Sequence, residues 1–239
     1  MPAYTTQGLS AATTFQGINI TSTASTGNLI HNMPISNEDR VWMWASNRDS
    51  SDRTLTVAIE GVLTTSSQIL NIPTRNGLNQ IFNGLTLKSS GVTEIDIRAW
   101  ASVTNTISIF GYVMRQGTTG PDKLYTTEVI SGGDGDGSGI NVVATASAGN
   151  TAHTAAGTNG IDKVYLYATN LNAAADRVLT VEWSGTGAED RFAQTIPFRD
   201  GLILLSPGLC LPTGASILVF ADVTTDVNIW GEVYREVDP

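Results

Sequence analysis

The sequence has one cysteine and two histidines among 239 residues, and only 15% of it is charged. Cys210 alone can close no intramolecular disulfide, so folding must rest on core packing. Among the apolar neighbours of Gly-Leu-Cys-Leu-Pro it reads as a small buried hydrophobe rather than a reactive thiol. Histidines 31 and 153 are too few to build a multi-histidine metal site. Basic side chains are scarce as well: 13 Lys and Arg stand against 22 Asp and Glu, for a net charge of −9, and none forms a run. That balance excludes a surface built to neutralise phosphates, and with it nucleic acid and anionic membranes as partners. No apolar stretch approaches the roughly 20 residues of a spanning helix. The opening Met-Pro-Ala-Tyr-Thr-Thr-Gln-Gly has neither the basic nor the apolar segment of a secretory leader.

Catalytic signatures are missing too. There is no Gly-x-Ser-x-Gly, phosphate loop, His-Glu-x-x-His or dinucleotide fingerprint. A histidine acting as a base needs an orienting carboxylate and a nucleophile, and no motif supplies them, so His31 and His153 read as loop residues with a local hydrogen bond. Asp39 and Asp162 precede apolar runs and read as turn residues. The acidic pairs Glu38-Asp39 and Glu189-Asp190 are adjacent, and neighbours in extended chain point to opposite faces, so neither makes a two-carboxylate site. Asp134-Gly-Asp136-Gly-Ser138-Gly139 begins like a calcium loop. Asn141 then stands where an apolar residue is needed, and Thr145 where a bidentate Glu is needed, so a solvated linker is expected. No enzymatic activity, cofactor or metal is expected.

What the chain does have is glycine, threonine, serine and asparagine around short apolar segments, with 41% apolar residues to fill a core. It also repeats itself. Asp39-Arg-Val-Trp-Met-Trp-Ala-Ser-Asn47 matches Asp162-Lys-Val-Tyr-Leu-Tyr-Ala-Thr-Asn170 at an offset of 123. At 124, Arg53-Thr-Leu-Thr-Val matches Arg177-Val-Leu-Thr-Val, Ile72-Pro73 matches Ile196-Pro197, and Gly84-Leu85-Thr86-Leu87 matches Gly208-Leu209-Cys210-Leu211. Ile109-Phe-Gly-Tyr-Val-Met-Arg115 matches Ile229-Trp-Gly-Glu-Val-Tyr-Arg235 at 120, and Ile18, Asn28 and His31 fall on Ile140, Asn150 and His153 at 122. Loops absorb such drift at little cost. The domain reading is an N-terminal arm over 1–15, a first repeat over 16–115, a linker over 116–138 and a second repeat over 139–239. The arm is free to order on a partner, and Lys123–Ile130 within the linker reads either as an extra strand or as a segment lying across one domain.

Alternation sets the fold class. Leu55, Val57 and Ile59 share one face against Thr56, Ala58 and Glu60, and Leu179, Val181 and Trp183 share one against Thr180 and Glu182. Ile107, Ile109 and Val113 recur as Val227, Ile229 and Val233, interrupted by Gly111 and Gly231, which suggest a bulge or a close backbone approach. The expectation is an all-β protein of two tandem homologous β-sandwich domains of jelly-roll type, with an immunoglobulin-like strand order as the alternative. Val41, Met43 and Ala45 take one face of their strand, and Trp42 and Trp44 the other. Val164, Leu166 and Ala168 repeat this against Tyr165 and Tyr167. A strand apolar on both faces is covered on both. Cover for the aromatic side comes from the chain itself, a protein partner or a sugar ring, which makes Trp42, Trp44, Tyr165 and Tyr167 the candidate interface.

Taken in order, Asp-Arg/Lys-Val with its apolar run to Ala-Ser/Thr-Asn, then Leu-Thr-Val, Ile-Pro, Gly-Leu and Ile-x-Gly-x-Val resembles small β-sandwich proteins of bacteriophage structural modules, similar to capsid decoration, or cement, proteins. The resemblance covers both repeats but carries no chemical signature. It implies a virion protein, made in the host cytoplasm, that docks on the outer capsid and bridges major capsid protein subunits; a homo-oligomer is expected because closed oligomers on a capsid symmetry axis multiply weak contacts. A glycan- or receptor-binding module of a phage tail is the alternative.

Overall fold

A computed structural model of the chain describes residues 3–12, 14–35, 37–60, 66–88, 94–117, 124–132, 139–156 and 160–237. The chain divides into two compact units, Met1–Thr74 with Asn79–Asp122 and Arg75–Leu78 with Lys123–Pro239. The first unit holds β1 (Ala3–Gly8), β2 (Ile18–Asn19), β3 (Asn28–Met33), β4 (Glu38–Asn47), β5 (Arg53–Glu60), β6 (Ser66–Ile72), β7 (Asn79–Lys88), β8 (Ile95–Ala101) and β9 (Ile107–Gly117). The second holds β10 (Leu124–Val129), β11 (Ile140–Asn141), β12 (Asn150–Thr154), β13 (Gly160–Asn170), β14 (Arg177–Trp183), β15 (Arg191–Ile196), β16 (Ile203–Pro212), β17 (Ser216–Ala221) and β18 (Val227–Val237). Among the described residues the only helical element is the 3-10 turn Ala188–Asp190.

The strands make four antiparallel sheets, two per unit. In the first unit the orders are β1-β9-β4-β7, with β2 also on β9, and β3-β8-β5-β6; in the second they are β10-β18-β13-β16, with β11 on β18, and β12-β17-β14-β15. Strand for strand, the orders are the same. One apolar cluster takes Val41, Met43, Ile109 and Val113 from the first sheet and Ile30, Leu55, Val57 and Ile97 from the second, so the two sheets of this unit close on a common core. Val41 and Val164, Leu55 and Leu179, and Ile109 and Ile229 are all fully buried, as strand alternation requires.

One segment differs from the sequence reading. Residues 3–8 are not a free arm. They form β1, which pairs with β9 from Ala3 against Gly117 to Gly8 against Tyr112. Of the two readings of Lys123–Ile130, the extra strand is the one observed: the linker contains β10, which pairs with β18 in the corresponding register. Tyr4-Thr5-Thr6 and Tyr125-Thr126-Thr127, 121 residues apart, were the sequence signal that these strands belong to the repeat. Asp134 and Asp136 lie outside the described residues.

Glu182 also departs from the simple alternation, which puts it on a solvent face. It is fully buried, and its carboxylate is held by Arg191 Nε at 2.9 Å and Ser147 Oγ at 2.6 Å. A charge this far from water persists only with such partners.

Recurring asparagines have a clear purpose. Asn28 Oδ1 accepts from the backbone N–H groups of Thr21 and Ser22, and Asn150 Oδ1 from those of Val143 and Ala144. Asn47 Nδ2 donates to the Ile72 carbonyl and Asn170 Nδ2 to that of Ile196. Each satisfies backbone groups that the ladders leave unpaired.

Gly111 and Gly231 mark a close approach, with no break in register between β4 and β9 or between β13 and β18. A Cβ on Gly111 would stand 2.4 Å from the Trp42 carbonyl oxygen and 3.1 Å from Leu9; one on Gly231 would stand 2.6 Å from the Tyr165 carbonyl oxygen and 2.7 Å from Ile130. Leu9 and Ile130 are themselves buried against this gap. Gly111→Ala and Gly231→Ala should therefore each destabilise by about 1–3 kcal/mol or more through overpacking, read as a lower urea midpoint at unchanged slope. A midpoint unchanged by either substitution would refute the close approach.

Candidate functional site

Each unit buries the same polar cluster between its two sheets. In the first, Asp39 of β4 lies directly across from Arg115 of β9. Arg115 donates from Nε to Asp39 Oδ1 at 2.8 Å and from Nη2 to Oδ2 at 2.7 Å, a bidentate pair. His31 reaches in from β3, on the facing sheet, and its Nε2 stands 2.8 Å from Asp39 Oδ2. Its Nδ1 accepts the backbone N–H of Ser10 at 3.3 Å, so the proton sits on Nε2 and is donated to the carboxylate. The second unit repeats this with Arg235 to Asp162 at 2.7 and 2.9 Å, His153 Nε2 to Asp162 at 2.8 Å and Ser131 N–H to His153 Nδ1 at 3.2 Å. Both histidines and both aspartates are no more than 1% exposed.

These positions correct two sequence expectations. His31 and His153 are strand residues in the interior rather than loop residues, and Asp39 and Asp162 are interior partners rather than turn residues. Alternation explains it, since Asp39 shares the inward side of β4 with Val41 and Met43. Burial alone would raise the Asp39 carboxyl, but the Arg115 and His31 hydrogen bonds outweigh it and hold the group below its ordinary value. Asp162 is held down in the same way by Arg235 and His153. Arg115 and Arg235 are in turn pushed up, each chiefly by its hydrogen bonds to the aspartate.

A serine, a histidine and an aspartate in contact invite a catalytic reading, because Ser10 Oγ is also 2.9 Å from His31 Nδ1. The second unit does not share that contact. In both units the serine hydroxyl accepts a backbone N–H, from Asn32 or Thr154, and what recurs toward the histidine is the serine's own backbone N–H. An adjacent backbone bond recurs as well, Ala11 N–H to the Ile30 carbonyl and Gly132 N–H to that of Ala152. The shared feature is a clamp that fastens the turn after β1 or β10 to the facing sheet. Among the described residues no three His, Cys, Asp or Glu side chains group to hold a metal ion, and no helix is long and apolar enough to cross a membrane. Cys210 is buried, and burial pushes its thiol far up, away from the reactive thiolate.

The candidate interface lies on the other side of the same sheets. Trp42 is half-buried and stacked on Tyr112, with centroids 5.2 Å apart and planes at 13°. Gly84, at φ +77°, sits under its indole, where a Cβ would approach to 3.1 Å. Trp44 is only 4% exposed and Phe110 beside it is fully buried, so Trp44 is covered within the chain. In the second unit Tyr165 lies over Gly208, at φ +90°, and meets Tyr234 edge-on at 5.6 Å. Burial first, and then the neighbouring Tyr234 and Glu232, raise the Tyr165 hydroxyl, so it stays a neutral donor. Tyr167 is half-buried and pairs across the sheet with Leu204, which is 47% exposed. Of the four aromatics, Trp42, Tyr165 and Tyr167 thus remain open to a partner, and Trp44 does not. Tyr234 and Leu204 extend the patch of the second unit, while Tyr112, only 7% exposed, is the buried ring on which Trp42 rests. Their signal in the sequence was polar–apolar alternation failing on β16 and β18.

Because both buried carboxyls are held below the ordinary value near 4, they stabilise fully above that pH and lose the contribution as pH falls through their lowered folded values. Stability should drop below about pH 4. Asp39→Asn, which keeps the volume and removes the charge opposite Arg115, should cost on the order of 3 kcal/mol at pH 7 and shrink the acid-side drop. Urea melts from pH 2 to 7 on both proteins test this, and an Asp39→Asn protein as stable as the parent would refute the assignment.

No family model matches the sequence, and no curated protein matches it. Solved structures do align with the chain. One is the N-terminal CBM22-1-CBM22-2 tandem domain from Paenibacillus barcinonensis Xyn10C, at 9% identity over 86% of this chain and 80% of that one, with a TM-score of 0.21. A likeness at that level identifies neither family nor function.

Proposed function

We propose that the protein is a non-enzymatic capsid decoration protein, a homo-oligomer on the virion surface that bridges major capsid protein subunits, and that each unit is a jelly roll. Strand order supports the fold reading. With β2 to β9 taken as strands B to I, the two sheets run B-I-D-G and C-H-E-F, and β11 to β18 repeat the assignment. An immunoglobulin-like sandwich has a different order, with its first, second, fifth and fourth strands in one sheet.

One observation carries the functional reading: the chain presents the same kind of surface twice. In each unit the sheet that contributes the buried aspartate shows a partly open aromatic patch on its outer side, at Trp42 in one and at Tyr165 and Tyr167 in the other. Large rigid aromatics with a polar tip are the side chains that most often anchor protein interfaces. Two modest patches on one chain suit a lattice of identical sites, where the second contact forms at high effective concentration. The virion setting rests on the resemblance to phage structural modules. The competing reading, glycan or receptor binding by a tail module, is favoured by the flat, half-open Trp42 ring alone.

Purified chain added to capsids that lack it should co-sediment at fixed stoichiometry and raise the temperature at which they lose their genome. Binding to the assembled shell stabilises that shell over its parts. Trp42→Ala and Tyr165→Ala should each weaken capsid binding about tenfold or more. Density for the chain on a tail fibre, or saturable binding to a cell-surface sugar that Trp42→Ala abolishes, would replace this reading with the receptor-binding one.

A further inference from the structure

The two units differ where β5, β6 and β7 of the first, or β14, β15 and β16 of the second, enclose the space between the sheets. Equivalent positions follow from register: Val57 pairs with Gln68 as Val181 pairs with Phe192, and Met43 pairs with Phe82 as Leu166 pairs with Ser206. In the second unit this space is full. Trp183 and Phe192 are both fully buried, with ring centroids 6.5 Å apart, and Trp183 Nε1 donates to the Cys210 carbonyl at 3.0 Å. The first unit has Ile59 in place of Trp183 and Gln68 in place of Phe192, and the larger Phe82 in place of Ser206 does not close the gap. A cavity of about 170 Å³ remains, lined by Val57, Ile59, Ser67, Gln68, Phe82 and Leu85.

Three further facts bear on what it would hold. Ile59, Phe82 and Leu85 are only partly buried and Ser67 is exposed, so the space communicates with solvent. None of the six lining side chains is charged. Gln68 Nε2 is buried with no hydrogen-bond partner among the described residues, and a buried amide donor left unpaired is a standing cost that an acceptor would relieve. The volume is close to that of an apolar cavity, about 150 Å³, known to take a benzene ring.

We propose that this cavity is a binding site for a small uncharged molecule with one aromatic ring and a single hydrogen-bond acceptor, the ring occupying the place of the Trp183 and Phe192 rings and the acceptor taking the Gln68 amide proton. Small-molecule sites of this kind are mostly apolar, with a few placed polar groups. The site is independent of the capsid role, since it faces the core rather than the outer aromatic patches.

Acetophenone, which has a ring and a carbonyl, and toluene, which has the ring alone, are the probes. In methyl-resolved NMR titrations of the whole chain, acetophenone should shift Val57, Ile59 and Leu85 saturably and leave Val181 and Leu209 unmoved. Toluene should bind at the same methyls about tenfold more weakly, the discrimination expected for one hydrogen bond to a buried group. Gln68→Leu should abolish that preference while keeping toluene binding. Ile59→Trp with Gln68→Phe, which copies the second unit, should abolish both. If that pair folds poorly, the Gln68→Leu result stands alone as the test. Absence of saturable shifts at these methyls, equal affinity for the two probes, or a preference that survives Gln68→Leu would overturn the proposal.

Discussion

A carboxylate placed between two β-sheets is unstable unless every lone pair that faces the interior finds a donor. Asp39 and Asp162 meet that demand in the same way, with a bidentate arginine from the neighbouring strand and a histidine from the facing sheet. Much else depends on this arrangement. The arginine fixes the register of β4 on β9, the histidine fixes one sheet against the other, and its second nitrogen holds the turn that carries β1 or β10 onto the sheet edge. Apolar packing is non-directional and tolerates sliding, whereas a fork of charge-assisted hydrogen bonds does not.

With the interior held this way, the outer side of the same sheet is free to vary between the units, and it does. Trp42 over Gly84 becomes Tyr165 over Gly208, a large ring laid on a backbone that has given up its own side chain. Stacking on Tyr112 becomes an edge contact with Tyr234. The space between β5, β6 and β7 varies as well, packed with rings in one unit and open in the other. Variation at these two places, against a cluster that does not vary, separates what holds the fold from what is available for binding. In the polar network that brings a serine, a histidine and an aspartate together, the contact common to both units is made by the serine's backbone.

The all-β class, the duplication and the inward face of most strands were legible in the sequence because each depends on short-range pattern. Period-two alternation in Leu55-Thr-Val and Leu179-Thr-Val is a local consequence of the pleat, and the matched offsets need no structure at all. The ends of the repeat were harder to see, because β1 and β10 are polar edge strands with little alternation, leaving only Tyr-Thr-Thr as a marker. The aspartate, histidine and arginine were each visible as recurring residues, yet they stand 8 and 76 positions apart in the first unit. No local rule joins residues at those separations.

What the sequence determined by itself was therefore most of the strands, their duplication and the inward face of most of them, all of which follow from alternation and from self-comparison. Only the tertiary structure decided that Asp39 meets Arg115 and His31 and that Trp44 is covered while Trp42 is not. It likewise decided that Ile59 and Gln68 leave open the space that Trp183 and Phe192 fill. Each of these depends on which strands become neighbours across a sheet or face each other across the core, and chain order does not encode that distance.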